Sequence, residues 1–134
     1  MNWRKEAWEK TFNISSYEPS VIVQKSQQFI NDEIKCVLDI WCWNFRNSIY
    51  FAQQWISVDA IDIADMYNKL QEYSEEKRKN ITFKIQDINN IEIKKKYQII
   101  IATRIFQYLT KEEIQSLFNI ARNCLDPKIV SYKF

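Results

Sequence analysis

Along the chain, segments with strand-like apolar runs alternate with segments of helical spacing. Cys36 to Ile40 is short, apolar and preceded by charge, so it reads as a strand. Asn47 to Gln54 fits a helix, and Ile56 to Ile61 a second strand. Asp65 to Lys79 carries Met66, Leu70 and Tyr73 at helical spacing with a charged far face, which predicts one helix. Ile81 to Ile85 and Tyr97 to Thr103 read as the third and fourth strands, the fourth being the most apolar. Thr110-Lys111-Glu112-Glu113 is a capping box opening a helix that buries Ile114, Leu117, Phe118 and Ala121. Ile129 to Phe134 is the fifth expected strand. Upstream, Met1 to Phe12 and Val21 to Asn31 read as helices, the second started at Pro19 and Ser20.

Alternating strands and helices imply right-handed crossovers and a parallel sheet covered on both faces. The expectation is a single α/β domain over 1–134, a Rossmann-like three-layer sandwich with a mostly parallel sheet. Ligands of such sheets bind beyond the carboxyl ends of the strands, where strand order reverses. That rim would gather the segment 41–45, Asp62, Asp87 and Thr103.

Composition narrows the chemistry. A net charge of +2 from 19 basic and 17 acidic residues argues against a nucleic-acid partner. No run reaches membrane-spanning length, so no membrane role is expected. The chain has no histidine, which excludes Cys/His zinc sites and histidine-activated nucleophiles, and no metal is expected. Cys36, Cys42 and Cys124 form no paired motif, as in a reduced, cytoplasmic protein. Glycine is absent, although average usage predicts about nine.

Candidate site residues follow from the rim. Asp39 ends an apolar run, where it could cap loop amides or contact a ligand amine. Asp62 ends the second strand about 20 residues after a strand-turn-helix loop, the spacing of an acid that accepts both ribose hydroxyls. The alternative is a cap on the following helix. Asp87, in FKIQDINN, could bond a purine amino group or be a solvated loop acid. Asn44 and Asn47 could cap the second helix or hold a carboxylate at its positive end.

VLDIWCWNFRNSIYFAQQWISVDAIDIA, residues 37–64, resembles the first two motifs of class I S-adenosylmethionine-dependent methyltransferases, and is most similar to the tellurite-resistance methyltransferase group. The usual form is V-L-D-I-G-C-G-x-G-R-N-S-x-Y-x-A-x-x-G. ITFKIQD, YQIIIATRIFQYL and Cys124-Leu125-Asp126-Pro127 resemble later motifs in the same order. The resemblance implies S-adenosyl-L-methionine as cofactor and a small-molecule methyl acceptor. It places Asp39 and Cys42 in the loop beside the methionine moiety, Asp62 at the ribose, Asp87 with Ile88 at adenine, and Thr103 under the methyl donor, with Trp41, Trp43, Asn44 and Ile63 as further donor-binding candidates. Catalytic residues remain unassigned. Methyl transfer needs orientation and exclusion of water more than a dedicated nucleophile, because the sulfonium methyl is already electrophilic.

The departures carry consequences. Family glycines fall at Trp41, Trp43, Phe45 and Trp55, and the family's strands after the fifth are missing, so a C-terminally truncated domain is expected. Two indoles in the loop would occupy donor space, which implies weak or no donor binding by the literal sequence. Two explanations stand side by side: UGA codons read as tryptophan instead of glycine at 41, 43 and 55, or drift in a decaying gene. Alternatives to the methyltransferase reading are an NAD-type dinucleotide-binding domain and a non-catalytic Rossmann-like remnant.

Overall fold

A computed structural model describes residues 17–127. The expected helix over Met1–Phe12 and the expected strand over Ile129–Phe134 lie outside the described residues. Within them, the order is α1 (Val21–Lys25), β1 (Cys36–Ile40), α2 (Arg46–Ala52), β2 (Ser57–Asp62), α3 (Tyr67–Gln71), α4 (Glu75–Arg78), β3 (Ile81–Ile85), β4 (Ile99–Ala102) and α5 (Lys111–Cys124).

The four strands form one all-parallel sheet in the order β3-β2-β1-β4. Register is set where burial is strictest: Val37 pairs with Val58 and Ile99, and Ile40 with Ile61 and Ala102. Val37, Leu38, Ile40 and Val58 are fully buried, as expected of central strands covered on both faces. Gln98 pins the entry of β4 to that of β1, its Oε1 accepting the amides of Lys35 at 2.8 Å and Cys36 at 2.7 Å. Strand order reverses between β1 and β4. After α5, Leu125 pairs in parallel with Tyr97, on the side of β4 away from β1.

Two expected helices differ from those observed. Asp65–Lys79 is not one helix but two short ones, α3 and α4. Ser74 adopts an extended conformation and caps α4, its hydroxyl accepting the Lys77 amide, while Tyr73 turns inward to donate to the Asn44 carbonyl at 2.8 Å. A local cap and a tertiary bond together outweigh helical continuation. The expected Val21–Asn31 helix is α1 followed by a 3-10 turn, Ser26–Phe29. In α5 the capping box forms in full: Thr110 Oγ1 accepts the Glu113 amide at 3.2 Å, and Glu113 Oε1 accepts the Thr110 amide at 2.9 Å. Leu117 and Ala121 are buried as expected, whereas Ile114 and Phe118 are half-buried and Cys124 takes a core position.

Candidate functional site

The carboxyl rim at the β1/β4 switch point gathers most of the expected residues. The loop after β1 is tied directly to β2. The Cys42 amide donates to the Ile61 carbonyl at 3.0 Å, and the Trp43 amide to Asp62 Oδ2 at 3.0 Å. Asp62 Oδ1 accepts the Ala64 amide at 3.0 Å. Both carboxylate oxygens therefore hold backbone, and Asp62 has no exposed surface. Ile63 follows it, also buried. The Gln86 amide reaches the Asp62 carbonyl at 2.8 Å, which brings Asp87 and Ile88 to the same rim. Ile88 is buried; half-buried Asp87 caps the 3-10 turn Ile88–Asn90, accepting the Asn89 amide at 3.0 Å. On the other flank, Asn47 Nδ2 donates to Thr103 Oγ1 at 3.3 Å, joining α2 to the end of β4.

Asp39 is fully buried, and its Oδ2 accepts the Ser48 hydroxyl at 2.7 Å. It thus holds α2 to β1 through a side chain, where loop amides or a ligand amine were the expected partners. Burial pushes its pKa up to about 7; the nearby Asp62 adds to the rise, while the Ser48 bond and Arg46 oppose it. The Cys42 thiol is also held well above its ordinary pKa, first by burial and then by the carboxylates of Asp62 and Asp39, so it is no nucleophile.

The loop's backbone carries its most unusual feature. Trp41, Trp43 and Phe45 have φ of 59°, 52° and 64°, all left-handed. Trp55, in the turn that ends α2, has φ 67°, and Arg104 after β4 has φ 56°. A side chain at such a position costs roughly 1–2 kcal/mol, and glycine avoids that cost. The first four are the positions at which the family pattern calls for glycine. The rings nonetheless go inward. Trp41 is 2% exposed and lies 6.3 Å from the Tyr108 ring; Trp43 is 6% exposed with the Arg46 guanidinium 5.4 Å from its ring centre. Phe45 is fully buried and meets Phe83 edge-on at 5.3 Å.

Several contributors were not expected from the sequence. Ser48 anchors Asp39. Buried Arg46 has its Nη1 on the Glu18 carbonyl at 3.3 Å, and burial, with Arg104 nearby, lowers its pKa. Asn44, by contrast an expected site residue, is buried and accepts the amide of Arg46, the first residue of α2, on Oδ1 at 3.2 Å. Glu113 reaches the rim from α5, accepting from Asn89 Nδ2 at 3.0 Å. In the sequence, Arg46 and Ser48 belong to the R-N-S of the family pattern, and Glu113 to the capping box.

The family described as tellurite resistance protein TehB matches residues 3–132. The probable S-adenosyl-L-methionine-dependent methyltransferase TehB of Haemophilus influenzae is 31% identical over 86 residues, 60% of this chain and 29% of that protein. Among solved structures, TehB from Haemophilus influenzae superposes with a TM-score of 0.71 at 25% identity, covering 92% of this chain and 42% of that one. The glycopeptide N-methyltransferase MtfA, complexed with S-adenosyl-L-methionine, gives 0.71 at 15% identity, covering 84% and 52%; this likeness concerns the fold. The chain spans under a third of the curated relative and about half of MtfA.

Proposed function

The chain belongs to the TehB tellurite-resistance family, and from that premise we propose that it is the donor-binding part of an S-adenosyl-L-methionine-dependent methyltransferase whose donor crevice is closed by the side chains written in its sequence. The observation that carries this reading is the left-handed backbone at 41, 43 and 45, beside Asp62 at the switch point. That conformation lets a main chain approach a ligand closely when no side chain intervenes.

The literal side chains do not fit the donor. The Trp41 and Trp43 rings are buried in the rim, and Asp62, the proposed ribose ligand, is covered and bonded to amides. With small residues at 41 and 43, Asp62 faces a crevice flanked by Asp39, Cys42, Asn44 and Ile63, by Asp87 and Ile88 for adenine, and by Thr103 for the methionine side. The acceptor in this reading is a small molecule, and the compartment is the cytoplasm. Among the described residues no helix is long and apolar enough to cross a membrane.

The dinucleotide alternative is disfavoured by spacing. Its fingerprint would put the third slender residue at 46, whereas Arg46 is helical and the third left-handed residue is Phe45. Titrating the Trp41→Gly/Trp43→Gly/Phe45→Gly variant with S-adenosylhomocysteine and with NAD separates the readings. Saturable binding of the first alone is expected. Binding of NAD alone would establish the dinucleotide reading, and binding of neither would leave a non-catalytic remnant.

A further inference from the structure

The mismatch between a glycine-shaped backbone and tryptophan side chains has a cause legible in the chain itself. We infer that positions 41, 43 and 55 are glycine in the protein as its own cell makes it, the tryptophans arising from UGA codons read in a code other than the cell's. This holds independently of what the crevice binds.

Three observations converge. First, the described residues contain three tryptophans, Trp41, Trp43 and Trp55, and every one has left-handed φ. Positive φ occurs in only a few per cent of non-glycine residues, so three of three by chance is roughly a one-in-ten-thousand event. Second, the main chain at each position is fixed by bonds that do not involve the side chain. The Trp43 amide sits on Asp62, the Cys42 amide after Trp41 sits on Ile61, and the Trp55 amide closes the helix end on the Ala52 carbonyl at 3.2 Å. Each geometry is one that glycine adopts without the cost a side chain incurs. Third, the chain has no glycine, yet it is rich in the Ile, Asn and Lys of AT-rich codons. In a genome that reads UGA as glycine, such pressure moves glycine codons from GG-starting triplets to UGA, so all glycines vanish together under the wrong table.

Drift in a decaying gene accounts for this poorly. Single-base changes from glycine codons scatter over many amino acids, and only one of them gives tryptophan. The three positions also differ widely in surroundings: Trp41 is 2% exposed and Trp55 is 77% exposed, so no shared packing demand selects an indole. Phe45 serves as an internal control. No UGA reading produces it, and its ring is packed against Phe83 as an authentic core side chain.

The test is peptide mass spectrometry on the protein isolated from its source cells. Trypsin releases residues 36–46, which hold positions 41 and 43, and residues 47–69, which hold position 55. The expected masses correspond to two Trp→Gly replacements in the first peptide, with Phe45 unchanged, and one in the second. The gene should carry UGA at all three codons. A tryptophan mass at any of the three positions, or a UGG codon there, would overturn the inference.

Discussion

At the scale of single residues, strain and burial make separable predictions. Trp55 is exposed, so its left-handed φ is a cost that packing does not repay; the main contact in view is with the Lys79 ammonium, 4.5 Å from the ring centre. Trp55→Gly should raise stability by about 1 kcal/mol, read as a higher urea midpoint. Trp55→Ala keeps the Cβ clash and should gain nothing. An equal gain from alanine would show that the indole, not the backbone, is at fault. Asp39 predicts a pH effect. Its pKa is near 7 in the folded chain against an ordinary 3.8 unfolded, so between these values the folded state holds a proton that the unfolded state releases. Its contribution to stability is therefore complete below about pH 4 and is lost as pH rises through about 7. Asp39→Asn, which can still accept from Ser48, should flatten that slope and exceed the parent's stability at pH 8. Urea midpoints at several pH values check this, and an unchanged slope would contradict it.

At the scale of elements, the capping box of α5 is a local device with a tertiary attachment, since Glu113 also accepts from Asn89 beside the rim. Thr110→Ala should destabilise the fold by about 1 kcal/mol, measured by denaturant unfolding, and a neutral result would mean the helix is held by Leu117 and Ala121 alone. This box was fully legible in the sequence, because S/T-x-x-E is a short-range chemical pattern. So were β1 and β4, whose apolar runs leave little choice. The break between α3 and α4 was not legible. It depends on Tyr73 reaching Asn44, 29 residues away, and a window of helical spacing contains no trace of that contact. Ser48 shows the same limit within the site: its bond to Asp39 spans nine residues and two elements. The glycine-like loop was legible only through the family pattern, and the backbone dihedrals then gave it a physical basis.

At the scale of the whole molecule, the four-stranded parallel sheet of the described residues brings loop, acid and α2 to one rim, and the fold is shared with methyltransferase structures of 15–25% identity. In the proposed reading, the scaffold and the side chains on its rim point in opposite directions: the main chain is shaped to admit a ligand, and the indoles exclude it. Calorimetric titration with S-adenosylhomocysteine, run side by side on the literal chain and on the Trp41→Gly/Trp43→Gly/Phe45→Gly variant with folding confirmed by circular dichroism, tests this most directly. The predicted result is no saturable heat for the literal chain and clear binding for the variant. Tight binding by the literal chain would contradict a crevice closed by its own loop.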